Sequence, residues 1–372
     1  MPDLTPNIGA FVSIAKEHLQ QILQVLKAMS YTLVGPTRND TAIVYDEIEG
    51  VADLPVGWTD EQEAGAYRLR PRDDDAYFGY VVGPHSWKKY LFPPTFKLFT
   101  VQRQNGSFVI IGNDEPPPRY AFIGVRACDL KAIGLQDRLF LGGTFVCSDY
   151  KARRQQVFVL AVNCTQPGGT CFCASMDSGP RVGSGFDLAL TELDDIFVIE
   201  IGSEVGRQVM REVPWRPAGA FELQAMRRAL AEAEQRMGRR LETADLPNLL
   251  YQNLEHARWD QVAQRCLSCG NCTQVCPTCS CNDVLDATDL LGQNTDRVRV
   301  WDSCFNLDFS HVHGGNIRPT IRARYRQWLT HKLGSSLDQL GSLACVGCGR
   351  CITWCPVGID ITEEIAAIRA EA

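Results

Sequence analysis

The chain has 372 residues, 45% of them hydrophobic and 22% charged, enough for two or three domains with real cores. Its formal net charge is −7, which disfavours a nucleic-acid partner needing a broadly basic surface. Only cysteine departs from ordinary globular usage, with 16 residues.

From the N-terminus, Phe11, Ile14, Ile22, Leu26 and Met29 lie at helical spacing and predict a helix over Phe11–Met29. Short apolar runs then predict strands at Ala42–Tyr45, Phe108–Ile111, Ala121–Val125, Val157–Val162 and Ile196–Ile201. Pro94, Pro116–Pro118 and Asp73–Asp75 mark loops between them. Phe221–Leu241, rich in Ala, Glu, Arg and Leu, predicts a long surface helix. It either joins two parts of the chain or packs on the first. No cysteine precedes Cys128, five lie between Cys128 and Cys173, and eleven between Cys266 and Cys355. The expectation is a mixed α/β domain over residues 1–215, a helical linker over 216–260, and a helical two-cluster ferredoxin domain over 261–372.

A secreted, disulfide-stapled chain would carry a signal peptide and would usually be small. Met1–Ile14 has no basic start, long apolar core or small-residue cleavage site. The apolar runs are strand-length, too short to span a bilayer. The expectation is a cytoplasmic protein without a membrane or nucleic-acid partner, whose thiols stay reduced and free to bind metal.

Cys266, Cys269, Cys272 and Cys276 are spaced C-x2-C-x2-C-x3-C with Pro277 following, and Cys345, Cys348, Cys351 and Cys355 repeat the pattern before Pro356. This is the bacterial ferredoxin run, in which the fourth cysteine serves the other cluster. A four-iron cube needs thiolates at four corners. Three on a tight turn cover one face, and the fourth must arrive from elsewhere. Gly270, Gly347 and Gly349 allow the turn. The expected sets are Cys266, Cys269, Cys272 with Cys355, and Cys345, Cys348, Cys351 with Cys276. Zinc sites typically show two separated C-x2-C pairs without a third close cysteine. The 67 residues between Pro277 and Cys345 contain two helix-like stretches, Asp283–Leu291 and Arg322–Leu333, and Asp360 with Glu363 predicts the cap of a last helix over Ile361–Ala370.

A third site is expected in the first domain. Cys128 and Cys164 each follow a predicted strand closely. In open α/β sheets, ligands gather beyond the carboxyl ends of the strands. The pliable Pro167-Gly168-Gly169 loop brings Cys171 and Cys173 within reach, making four thiolates, with Arg126 and Lys131 to offset the charge. Buried free thiols are the alternative there. Cys279 and Cys281 read as core residues beside the clusters; the rival reading has Cys304 join them in a site with Cys147, His311 or His313, without a spacing rule to demand it. G-x-G-x-x-G, the P-loop, G-x-S-x-G and a nickel-type cysteine pair are all missing, so no catalytic residue is assigned.

Several stretches resemble one family: Arg126-Ala127-Cys128-Asp129-Leu130, Asn163–Met176 with Gly179-Pro180, Gly270–Cys281, Trp301-Asp302-Ser303-Cys304-Phe305, Arg324–Trp328 with Thr330–Leu333, and Cys345–Thr362. They are similar to the beta subunit of cytoplasmic NAD(P)-linked nickel–iron hydrogenases, the sulfhydrogenases, and to the electron-transfer subunit of anaerobic sulfite reductase. The resemblance extends from Gly83 onward. It implies an electron-transfer subunit with a flavin- and NAD(P)-binding diaphorase-type subunit on one side and the hydrogenase small and large subunits on the other. FAD, NAD(P) and the nickel–iron centre would lie on those partners alone. The other readings are the sulfite reductase subunit, an iron–sulfur redox sensor, and reductive chemistry at an open N-terminal cluster. Two ferredoxin runs argue against a sensor, which needs one labile cluster.

Overall fold

The structure, a computed structural model, describes residues 5–113 and 116–371. Sixteen strands of the described residues build four sheets: β1 Phe11–Ala15, β2 Thr32–Arg38, β3 Ile43–Glu47, β4 Trp58–Glu63, β5 Ala66–Pro71, β6 Thr95–Gln104, β7 Ser107–Gly112, β8 Tyr120–Val125, β9 Phe158–Val162, β10 Leu188–Glu192, β11 Ile196–Ile201, β12 Arg216–Pro217, β13 Asn282–Thr288, β14 Asn294–Trp301, β15 His311–Val312 and β16 Gly315–Asn316. The large sheet has the order β12-β1-β11-β10-β9-β8-β2-β3. Its centre, β10-β9-β8-β2, is parallel, and the outer pairings are antiparallel. All of β9 and β10 is buried, as befits parallel strands covered on both faces.

The expected helix over Phe11–Met29 forms only from Leu19 to Ala28, where Leu19, Ile22, Leu23 and Leu26 are buried at i, i+3, i+4 and i+7. Its first third is instead β1. Phe11–Ala15 pairs residue by residue with Ile196–Glu200, and that long-range ladder overrides the local spacing. The five expected strands all form, with ends shifted by one or two residues. The expected helix over Phe221–Leu241 ends at Gln235, and its Met226 and Leu230 pack with Val198 of β11.

The Asp283–Leu291 stretch is not a helix. Asn282–Thr288 pairs antiparallel with β14, which pairs in turn with β6 of the N-terminal half. The resulting sheet β13-β14-β6-β7 mixes both halves of the chain. The β-branched run of β14 supplies a ladder partner that no local window contains. Arg322–Leu333 is helical as expected, over Ile321–Thr330 and a π-turn through Ser335. Asp360 caps the last helix, accepting from the Thr362 amide at 2.9 Å.

A second core lies around the ferredoxin runs, with Trp259, Val262, Tyr325, Trp328, Leu329, Ile361 and Ile365 buried together. Phe172, from the loop after β9, is buried in this core. The two halves therefore interlock at the cysteine-bearing loops. No helix among the described residues is long and apolar enough to cross a membrane.

Candidate metal centres

β8 and β9 are adjacent and parallel, so their carboxyl ends open on one crevice, as expected. A register shift beside Gly124, at φ +86°, interrupts the ladder at the end of β8. Cys128 follows in the first turn of the Ala127–Leu141 helix. Cys164 follows β9, and its amide donates to the Pro180 carbonyl at 3.0 Å, which closes the 164–180 loop. Burial pushes the Cys173 thiol well up, and the neighbouring sulfurs of Cys171 and Cys164 push it further. Burial and then Asp129 raise Cys128, with Cys173 next. The four N-terminal thiols are thus neighbours, Cys128 of Cys173, and Cys173 of Cys171 and Cys164. Arg126, beside Cys164, is almost entirely buried. Its Nη2 donates to the carbonyls of Phe78 (2.7 Å) and Tyr80 (2.8 Å), while Nε and Nη1 have no partner in the protein. Orphaned buried donors are costly, and acceptor sulfurs on a bound cluster would satisfy them. Lys131, the other expected cation, is exposed.

The two ferredoxin runs exchange their fourth cysteines in space. Cys266, Cys269, Cys272 and Cys355 line one cavity, together with Cys351 and the apolar walls of Phe305, Tyr325 and Trp328. Burial raises the Cys272 thiol first, followed by the sulfurs of Cys266, Cys355 and Cys269. In the second run, burial raises Cys351, and Cys345, Cys348 and Cys276 add to the shift. Amides two residues on point at cysteine sulfurs in both runs: Ser268 N–H to Cys266 Sγ and Gly347 N–H to Cys345 Sγ, each at 3.4 Å. Gly270, Gly347 and Gly349 have φ of +72°, +60° and +74°, the left-handed turns that a wrap around a cube requires.

Lys332 is almost fully buried, and its Nζ donates to Cys276 Sγ and Thr278 Oγ1, both at 3.1 Å. This ammonium and the Thr278 hydroxyl help hold Cys276 below the usual thiol range, although the largest cause is the hydrogen bond from Cys279. A buried lysine against a thiolate suits an anionic cluster. Among the described residues, no three Cys, His, Asp or Glu side chains stand close enough to share a single ion. A cube with iron at four corners holds its thiolates farther apart than one tetrahedral ion does.

Sequence reasoning left the arrangement of the remaining cysteines open. Cys279 touches Cys276, and Cys281 touches Cys304 through a thiol–thiol hydrogen bond. Cys147 does not join Cys304. Its thiol donates to Asp149 Oδ1 at 3.0 Å, beside Arg299. His311 and His313 are exposed. Cys304 lies 23 residues after Cys281 with no motif between them, so no spacing signal was there to find.

The interlocked runs mark an iron–sulfur protein. Residues 265–359 match the family described as 4Fe-4S dicluster domain. Along nearly its whole length the chain is also similar to sulfhydrogenase 2 subunit beta of Pyrococcus furiosus, with 27% identity over 366 residues, 96% of this chain and 98% of that protein. The resemblance read from the cysteine motifs is thereby borne out, and it reaches into the first eighty residues. The chain is an iron–sulfur electron-transfer protein resembling a hydrogenase beta subunit.

Proposed function

We propose that this chain relays electrons between two partners, a flavin- and NAD(P)-binding subunit on one side and the small and large subunits of a nickel–iron hydrogenase on the other. Three [4Fe–4S] clusters are held by Cys266, Cys269, Cys272 and Cys355; by Cys345, Cys348, Cys351 and Cys276; and by Cys128, Cys164, Cys171 and Cys173. When bound, the clusters supply one-electron carriers. The protein holds them, shields them from water and offsets their charge with Arg126, Lys332 and Arg350.

One observation carries this reading: Cys348 of the second set is a neighbour of Cys128, Cys171 and Cys173 of the third. The Cys171 thiol also reaches toward the Cys348 carbonyl at 4.0 Å. On the other side, Cys276 is a neighbour of Cys272 in the first set. The second set therefore lies in the middle of a line, which suits relay because transfer falls steeply with distance. At the end of that line Cys269 and Leu267 are exposed, an exit toward a partner.

The test uses the assembled complex. Replacing Cys128 or Cys164 by Ser is expected to block transfer from hydrogen to NAD(P), while each half-reaction with an artificial dye survives on the partners. The lone chain is expected to take electrons from a strong reductant without oxidising hydrogen or reducing NAD(P). Survival of the whole reaction in the variants, or turnover of NAD(P)H by the lone chain, overturns the proposal.

A further inference from the structure

Four cysteines are not used by the three cluster sets, and two of these meet. Cys281 immediately precedes β13, and Cys304 lies three residues beyond β14, where the pairing of Asn282 with Trp301 closes the ladder. The Asp302 amide donates to the Cys281 carbonyl at 2.9 Å, which holds the two backbones together. Both the thiol and the amide of Cys304 donate to the Cys281 sulfur. Both side chains are half-buried, so a small reagent can reach them. Two buried cations face them: Lys88, whose Nζ is 3.8 Å from the centre of the Trp301 ring and 3.0 Å from the Cys279 carbonyl oxygen, and Lys332. A thiolate next to ammonium groups, with a second thiol touching it, is the arrangement of an exchange-active dithiol.

We propose that Cys281 and Cys304 form a reversible dithiol–disulfide site that reacts with small-molecule disulfides. The inference rests on the assignment of the clusters to the other twelve cysteines. The Cys281 thiolate attacks the incoming disulfide R–S–S–R, its S–S bond breaks, and one RS⁻ leaves. Cys304, deprotonated, then attacks the mixed disulfide at the Cys281 sulfur and expels the second RS⁻. In sum, two protein thiols are oxidised to one disulfide, and RSSR is reduced to two RSH, which carry away the two protons. The bond closes the base of the β13–β14 pair. It also pins Cys304 next to Phe305, a wall of the first cluster cavity whose carbonyl accepts from Ser268 Oγ at 3.1 Å. Oxidation at this site is thus transmitted to the surroundings of one cluster.

The experiment takes the full chain, purified anaerobically with its clusters, and equilibrates it with glutathione and glutathione disulfide at graded ratios. Thiols are then trapped with iodoacetamide, and peptides are mapped without reduction by mass spectrometry, with iron measured alongside. The expected result is a linked Cys281–Cys304 peptide that grows with the oxidising ratio and disappears on reduction, at unchanged iron content. In Cys304→Ser, a glutathione adduct should accumulate on Cys281, because the resolving thiol is gone. Complete alkylation of both cysteines at the most oxidising ratio, with iron intact, overturns the dithiol site and leaves the cluster assignment standing. Loss of iron in the Cys281→Ser, Cys304→Ser double variant overturns both, because these thiols would then be cluster ligands.

Discussion

Arg350 and Asp129 form a two-pronged buried ion pair, Nη1 to Oδ1 at 2.7 Å and Nη2 to Oδ2 at 2.9 Å, that joins the second ferredoxin run to the helix carrying Cys128. Both side chains are almost entirely buried, and Tyr45 donates to Asp129 Oδ2 at 3.1 Å. Because Asp129 follows Cys128 and Arg350 precedes Cys351 in sequence, the pair fixes how the middle and N-terminal thiol sets sit together. Asp129→Ala strands a buried guanidinium and is expected to cost about 3–5 kcal/mol. The check is denaturant unfolding under anaerobic conditions. Adding Arg350→Met should recover part of the loss, since the uncompensated charge is then gone. If Asp129→Ala were as stable as the parent, the pair would not clamp the two halves.

Metal content tests the number of clusters. Anaerobically purified chain should hold about twelve irons, and Cys128→Ser about eight. Replacing Cys276 should alter the paramagnetic signal of the Cys345, Cys348, Cys351 set, and replacing Cys355 that of the Cys266, Cys269, Cys272 set. Changes confined to each residue's own run would refute the crossed arrangement, and zinc in place of iron would refute all of it.

Lys332 should set the potential of the middle cluster. Its buried ammonium favours the more negative, reduced state of a cluster ligated through Cys276. A unit charge acting over several ångströms at an effective dielectric near 20 is worth about 2 kcal/mol, on the order of 100 mV for one electron. Lys332→Met is therefore expected to lower that cluster's midpoint by an amount of this order, read by potentiometric spectroscopy with iron content unchanged. An unmoved midpoint would mean that the lysine serves packing alone.

Two glycines separate backbone strain from crowding. Gly341 and Gly349 both lie in the left-handed region, at φ +66° and +74°. A Cβ at Gly341 would meet nothing within 4 Å, whereas one at Gly349 would lie 2.4 Å from the Thr170 carbonyl oxygen. Gly341→Ala should cost about 1–2 kcal/mol, the left-handed penalty alone. Gly349→Ala should lower the Tm clearly further and disturb the N-terminal cluster signal, because Thr170 precedes Cys171. Equal losses in thermal melts of the two variants would show that the close approach does not matter.

The chemistry of this protein was legible in its sequence because cube ligation is a local constraint. The runs from Cys266 to Pro277 and from Cys345 to Pro356 must have their spacing, glycines and closing proline within twelve residues, so the motif is complete in one window. The strand-end positions of Cys128 and Cys164 were readable too, because buried parallel strands announce themselves as unbroken apolar runs. What tertiary structure alone decided is everything that depends on a partner distant in sequence. Phe11–Ala15 became a strand because β11 offers it a ladder, and Asp283–Thr288 did so because β14 lies between it and β6. The meeting of Cys281 with Cys304, of Lys332 with Cys276, and of Arg350 with Asp129 leaves no mark on local periodicity. Each is a contact between side chains 23 to 221 residues apart. It exists only once two apolar cores have closed around the cysteine loops and excluded the water that would otherwise solvate those charges.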